Sequence, residues 1–431
     1  MRIILIILGF GILGLGFISG CGEGIPDDVI HSVDQPNYGS IDGYVYDYAT
    51  ANYNTGTYTG TSGATVMTST KSAITDANGY YKLEGIPAGE IAVTVFKDNY
   101  YSTTLIANRS RMNFLISPQV VVFPLRKGTA TITGTIEGLP VGATIYGRAV
   151  SSRKSSEWPD WSYNASTKTY TISNAPDEGE VYVTVYYNIS GGTLYYTYGK
   201  VTANPGETKS LDLRFGTYTS LSGNVSVPSG YTVSRTISCS LYKGYQHRGY
   251  FTQISLLSTA TTYEVLGLPP LSAGDYYLIY LTAQDSNGNQ ISKYFYNSTG
   301  GTQDLDLSSV PALNLTSPSP ANNANLSGSL PAFAWNPVSG SNINYILAIT
   351  ETSPESKSIW GAFISGTSIS FPSGITGSGT LVSGKTYAYT VLAISYSGAF
   401  NWADYPDLIM NPPSDLYGVF ELRSAPRSFT F

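Results

Sequence analysis

From Ile3 to Gly20 the chain is apolar and carries no charge. Then comes a polar, proline-bearing stretch without a period, Gly22 to Ser40, which reads as a tether. Beyond it, polar and apolar residues alternate in short runs. Tyr170-Thr171-Ile172-Ser173 and Val181-Tyr182-Val183-Thr184-Val185 show the two-residue period of a half-buried strand. Turns with proline and glycine separate such runs, glycine supplying backbone angles closed to other residues. No helical period of useful length follows Cys21. The pattern predicts an all-β protein.

The pattern also repeats. A glycine followed by an aliphatic strand opens three units, at Gly43, Gly134 and Gly223, spaced 91 and 89 residues apart. Each unit later reaches a tyrosine strand, at Tyr81, Tyr170 and Tyr263, after gaps of 38, 36 and 40 residues. A turn with proline and glycine and a further strand follow each time. The second and third units close on LDLRFG from Leu211 and LDLSS from Leu305, read as last strands leading directly into the next module. Such regularity signals tandem modules. The expected division is 1–20 signal peptide, 21–40 tether, 41–127, 128–215 and 216–310 for three β-sandwich repeats, and 311–431 for a fourth sandwich.

Composition agrees with an extracellular β chain. Charged residues make up 12% of the sequence, about half the usual share. Tyrosine (36) and glycine (45) are abundant, and the 42% hydrophobic share suffices for packed cores. Net charge is −6, with no basic cluster to neutralise a row of phosphates, so nucleic acid is not an expected partner. The two cysteines are Cys21 and Cys239. The alternation in TISCSLY turns Cys239 inward from a strand, as a buried structural thiol.

Cys21 has a different setting. Arg2, the apolar run and the small residues before Cys21 follow the layout of a secretory signal. Ile18-Ser19-Gly20-Cys21 resembles a bacterial lipobox. The resemblance implies cleavage before Cys21, a diacylglyceryl thioether on its sulfur and acylation of the new amino group. Two or three acyl chains anchor firmly where one does not. Gly22 after the cysteine resembles the default routing to the outer membrane in diderm bacteria. The other reading of the run is an uncleaved transmembrane helix, since its length is about that of a bilayer span. Gly11, Gly14 and Gly16 within it favour cleavage.

The first unit carries Gly43-Tyr44-Val45, Ala64-Thr65-Val66, Thr75-Asp76-Ala77-Asn78-Gly79-Tyr80 and Ile86-Pro87-Ala88-Gly89. It resembles a carboxypeptidase regulatory-like domain, a transthyretin-like β-sandwich that accompanies enzymes and surface proteins without being catalytic. Related pilin-type domains hold a lysine-to-asparagine crosslink. The strand Gly43 to Asp47 has no lysine, so none is expected. Units two and three keep the opening and closing pieces without the Thr-Asp-x-x-Gly step. The fourth unit, with Phe333, Trp335 and Pro337, then Tyr345 and Leu347, then Gly384-Lys385-Thr386-Tyr387 with Val391 and Ala393, resembles a fibronectin type III-like sandwich. Its expected core holds the tryptophan, with the tyrosine-rich strand packed across from it. Phe431 resembles the last residue of outer-membrane barrels, but the chain lacks their evenly spaced strands.

Catalytic chemistry lacks its parts. His31 lies in the tether and His247 in a polar, tyrosine-rich stretch. No HExxH, Cys/His cluster or GxSxG is present. Asp76 and Asp285 begin loops that look briefly like calcium loops, but the twelfth positions are Pro87 and Tyr296 where a glutamate is needed. Both read as hairpin turns. Asp160, Asp177, Glu178 and Glu180 fall in turns, where acids serve turn geometry. No enzyme activity, cofactor or metal is expected. The candidate ligand-binding residues are Trp158 and Trp161 of Trp158-Pro159-Asp160-Trp161, whose indoles either offer faces for sugars or a protein partner or fold back on the module's core. Tyr195, Tyr196 and Tyr198 could extend that surface. The sequence thus predicts a lipid-anchored, non-catalytic surface protein of structural or adhesive role. Polysaccharide capture and service as an accessory subunit of a surface filament or secretion complex are the alternatives.

Overall fold

The computed structural model describes residues 39–52, 57–87, 89–107, 111–116, 128–151, 160–177, 179–188, 194–243, 246–254, 261–311, 319–352, 357–395 and 420–431. Cys21, the signal, most of the tether, His31 and Trp158 lie outside these residues. Among the described residues the regular structure is strand, apart from short 3-10 turns at Asp160 and at Gly377–Gly379, and no helix is long and apolar enough to cross a membrane. The protein is an all-β array of sandwiches.

The first sandwich contains β1 (Ser40–Asn52), β2 (Thr57–Gly60), β3 (Thr65–Met67), β4 (Ser72–Ile74), β5 (Tyr80–Glu84), β6 (Ile91–Phe96), β7 (Ser102–Ala107) and β8 (Phe114–Ile116). The second has β9 (Ala130–Glu137), β10 (Thr144–Val150), β11 (Trp161–Asn164), β12 (Thr169–Ala175), β13 (Gly179–Asn188), β14 (Tyr195–Ala203), β15 (Thr208–Ser210) and β16 (Leu213–Arg214). The third has β17 (Thr219–Ser226), β18 (Tyr231–Lys243), β19 (Gln246–Ile254), β20 (Thr262–Leu268), β21 (Asp275–Asp285), β22 (Gln290–Asn297), β23 (Gly301–Thr302) and β24 (Leu305–Asp306).

One topology recurs three times. The opening strand (β1, β9, β17) pairs antiparallel with the tyrosine strand (β5, β12, β20) and parallel with the closing strand or strands (β8; β15 and β16; β23 and β24). Across the core lies a second sheet whose common strands are β3-β6-β7, β10-β13-β14 and β18-β21-β22. Alternation explains the packing. In β12, Tyr170 and Ile172 are buried while Thr169 and Ser173 are exposed, and β20 repeats this with Tyr263 and Val265. Cys239 is fully buried in β18, and burial pushes its thiol well up from its ordinary range.

The fourth sandwich is built from β25 (Ala324–Asn325), β26 (Ala332–Ala334), β27 (Ile343–Glu351), β28 (Lys357–Ile364), β29 (Ser368–Ser370), β30 (Thr386–Ser395), β31 (Phe420–Arg423) and β32 (Arg427–Thr430). Its core holds Phe333, Trp335, Tyr345, Leu347, Tyr387, Val391 and Ala393. Trp335 packs on Tyr345 at 5.5 Å between ring centroids, and Tyr387 stacks on Phe429 at 5.6 Å. Trp360, nearly fully buried, is a further anchor that no sequence pattern pointed to.

These sandwiches are not simply strung end to end. β22 pairs antiparallel with β31, and β7 pairs parallel with β28, so one 14-stranded sheet runs β19-β18-β21-β22-β31-β30-β27-β28-β7-β6-β3-β4, with β25 and β32 attached to it. The C-terminal sandwich therefore lies between the third and the first. Trp360 seals the second seam, its indole Nε1 donating to Thr104 Oγ1 at 2.8 Å. Ile346, Phe363 and Ile394 of the fourth sandwich pack into the core of the first.

Candidate binding surface

Trp161 opens β11, opposite Ile172 of β12. It is half-buried and stacks on Tyr170, with centroids 5.3 Å apart and planes at 20°. Its ring also lies over Gly147 of β10, where an added Cβ would sit 2.1 Å from the indole. The absence of a side chain at Gly147 thus makes the slot that Trp161 fills. In the first and third sandwiches the strand after the first hairpin (β4, β19) stays in the second sheet, paired with β3 or β18. In the second sandwich β11 crosses to the opposite sheet, and Trp161 bridges the two across that side. The three nearby tyrosines do not join it. Tyr195 packs into the module's own core, whereas Tyr196 and Tyr198 point the other way, towards the third sandwich.

That other face forms a joint. The β13 run expected to be half-buried is buried on both faces: Val181, Val183 and Val185 enter the module core, and the third sandwich covers Tyr182. At its centre is Asp275, whose side chain is fully buried. The hydroxyls of Tyr182 and Tyr198 donate to its carboxylate at 2.9 and 3.0 Å, and Lys200 Nζ stands 3.3 Å away. Lys200 also lies 5.2 Å from the Tyr182 ring centroid, and the Ser272 amide donates to the Tyr198 hydroxyl. Burial, with a smaller contribution from Asp275, pushes Tyr198 up to about 12, so it stays a donor at neutral pH. A cleft of about 390 Å³ opens beside this joint, lined by Thr197 and Tyr198, the Arg214–Thr217 linker and Pro269, Pro270 and Ser272.

A second aromatic surface is the outer face of the third sandwich. Tyr242 stacks on Tyr276 at 5.8 Å, Tyr276 meets Tyr296 at 5.4 Å, and Tyr280 meets Tyr294 at 4.7 Å. Tyr296 is 44% exposed. Where this face meets the fourth sandwich, Glu421 of β31 lies opposite Ser292 and Ile394. Burial pushes its carboxyl up to about 7 against a smaller opposing pull from Arg423.

Of the acids weighed for chemistry, Asp76, Asp285, Asp177 and Asp160 bond to nearby backbone or side chains, Glu180 falls within β13 and not in a turn, and Glu178 lies outside the described residues. Asp76 Oδ1 accepts the amides of Asn78 and Tyr80, both at 2.8 Å, and Asp285 Oδ1 accepts those of Asn287 and Asn289, both at 2.9 Å. The Asp285 turn joins the hairpin β21-β22, as expected; the Asp76 turn does not join a hairpin, since it carries the chain from β4 in one sheet to β5 in the other. Asp177 accepts the Thr129 amide and hydroxyl, each at 2.7 Å, and Asp160 accepts Asn174 Nδ2 at 2.7 Å. Among the described residues no group of three or more His, Cys, Asp or Glu converges as a metal would need. His247 falls in β19, in register with Tyr242.

No protein-family model matches the chain, and neither does any curated protein. Among solved structures it is similar to a type II cohesin–X-dockerin complex from Acetivibrio cellulolyticus, at 24% identity and TM-score 0.15, over 19% of this chain and 58% of that one. It is also similar to a putative carbohydrate binding protein from Bacteroides uniformis, at 11% identity and TM-score 0.21, over 49% of this chain and 98% of that one. A third is the major pilin subunit of Bacillus cereus, at 9% identity and TM-score 0.14, over 62% of this chain and 98% of that one. The chain spans under two thirds of the first of these. Overlaps this loose assign no family, and the fold class rests on the strands themselves.

Proposed function

We propose that this is a non-catalytic, lipid-anchored surface protein of structural or adhesive role. The observation that carries the reading is the shared sheet, which joins three sandwiches by strand pairing and buries both seams. Backbone pairing and apolar seams make a stiff body, suited to bearing load or presenting a face and needing no moving parts. The division at 41–127, 128–215, 216–310 and 311–431, the tether and the thioether at Cys21 are parts of this proposal. So is the carboxypeptidase regulatory-like character of the first unit. An extracytoplasmic location, in the outer membrane of a diderm cell, follows from the lipobox resemblance.

Capture of polysaccharide is the second reading, favoured by the tyrosine face of the third sandwich and by Trp158 and Trp161. Because Trp161 is half-buried against Tyr170, the tyrosine face supports it better than the tryptophan pair does. The test is binding of the full chain to whole cells and to a polysaccharide panel, with Tyr276→Ala/Tyr296→Ala and Trp158→Ala/Trp161→Ala alongside. Adhesion to cells without glycan binding is the expected result. Glycan binding lost in either double variant establishes the second reading and locates its site. A reproducible hydrolytic activity would overturn both.

A further inference from the structure

Among the described residues, the first sandwich pairs strands with one neighbour only, through β7 and β28. The seam is an exchange of core residues. Ile346, Phe363 and Ile394 of the fourth sandwich pack among the core residues of the first, and Phe96 of β6 packs in the cluster that holds Trp360 and Ile364. The turn Gly374–Gly379 fits the same joint. An added Cβ would lie 3.4 Å from the Met67 methyl at Gly374 and 2.1 Å from Ser102 Oγ at Gly379. The two faces are cut to each other.

Along the chain, the first sandwich is joined to the second and not to the fourth. Thr129 is tied to Asp177 of the second sandwich, and residues 117–127 lead towards it from β8. Eleven residues reach at most about 40 Å, beyond the breadth of about 30 Å of one such sandwich. That reach lets the first sandwich sit on a fourth sandwich of its own chain or of a neighbour. The seam also has flaws. A cavity of about 60 Å³ lies between Tyr101, Ile346, Phe363 and Leu392, and Ser102 Oγ is buried without a hydrogen-bond partner. Both lower the cost of parting it.

We propose that two copies of this chain exchange their first sandwiches, each seating its β7 on the β28 of the other, to give a closed two-fold dimer. A second copy is the occupant because the exchanged seam is the established one, residue for residue, and the cut of the two faces admits that partner. Reciprocal exchange satisfies both seams at once and stops at two copies. The order of synthesis favours it. The first sandwich is complete while its own β28 is still unmade, so two chains finished side by side each find the other's seam bare as well as their own. The proposal stands apart from the adhesive reading and survives its failure.

Thr103 and Gly361 are partners in register at the seam, and an added Cβ at Gly361 meets nothing closer than 3.8 Å. Full chains carrying Thr103→Cys alone and Gly361→Cys alone are refolded together in detergent under a thiol–disulfide buffer. The expected result is a disulfide between the two chains that joins positions 103 and 361, read by mass spectrometry of the digest. Its yield should rise about tenfold for a tenfold rise in chain concentration while most chains are single. Sedimentation of the natural chain, refolded over the same range, should show a dimer growing in step. That dimer should survive dilution, because seated cores must part before it reverts. A natural chain that stays monomeric at every concentration overturns the proposal. So does a dimer that falls apart at once on dilution. A dimer without the link between chains, when Thr103→Cys/Gly361→Cys links within one chain, places the contact elsewhere and overturns it too.

Discussion

Gly43, Gly134 and Gly223 leave no room for a β-carbon. A Cβ at each would lie 1.9, 2.0 and 2.3 Å from the carbonyl oxygens of Met112, Leu211 and Gln303. The hydroxyls of Tyr81, Tyr170 and Tyr263 donate to those same oxygens at 2.7, 2.6 and 2.7 Å. Side chains one residue further on, Asn113, Asp212 and Asp304, accept the amides of Tyr44, Thr135 and Asn224 at 3.0, 2.7 and 2.8 Å. This lock fixes the closing strand against the opening one, and burial keeps each tyrosine protonated as a donor. Gly134→Ala should therefore cost about 2–3 kcal/mol in urea unfolding, as overpacking against backbone does. Gly366→Ala, with nothing within 4 Å of the new carbon, should stay within about 0.5 kcal/mol. The glycine and tyrosine were legible because the lock needs both at a nearly constant separation. Its third member was not, because it alternates between Asn and Asp in dissimilar contexts. The LDL runs from Leu211 and Leu305 are two residues out of step: Asp304-Leu305, and not Asp306-Leu307, matches Asp212-Leu213, since Leu213 pairs with Ile136 and Leu305 with Val225.

At the scale of elements, the hairpins and their inward residues followed from alternation, and the core of the fourth sandwich followed from its aromatic spacing. The crossing of β11 to the other sheet did not. It depends on Gly147, which makes room for an indole from a distant strand, and no local period reports such a vacancy. Nor did alternation show that β13 would be covered twice, because that depends on a neighbouring module. The joint it forms is testable. Asp275→Ala leaves the partly buried Lys200 and two tyrosine hydroxyls without their acceptor, and should cost about 3 kcal/mol. Asp275→Ala/Lys200→Met should recover part of that loss. A double-mutant cycle read by urea unfolding checks it, and strict additivity would deny the coupling.

For the whole molecule, the shared sheet was invisible in the sequence because strand edges pair through backbone and leave no side-chain period. One acid on a seam makes it sensitive to pH. The folded carboxyl of Glu421 titrates near about 7, above the ordinary carboxylate value of about 4.3 that it recovers on unfolding. Between these values the folded state holds more protons, so stability falls as pH rises. The protonated seam is fully stabilised below about 4.3, and the advantage is gone above about 7, a loss on the order of 3 kcal/mol. Urea midpoints from pH 4.5 to 8 should fall for the natural chain and flatten in Glu421→Gln, other titrating groups being common to both. Equal slopes would clear Glu421 of the effect.

The pairing of β7 with β28 brings together segments from opposite ends of the chain, with the indole of Trp360 bonded to a threonine 256 residues away. The polypeptide is thereby closed into a ring of modules. Its reach is set by the girth of that ring, and not by the summed length of four beads on a thread. Closure also makes biogenesis all-or-none. Until the last module has emerged, the edges of β7 and β22 both wait bare, and strands held in that state are the ones that pair wrongly. A message cut short before β27 would release a chain with two adhesive rims in place of a slightly smaller protein, and its fate would be aggregation.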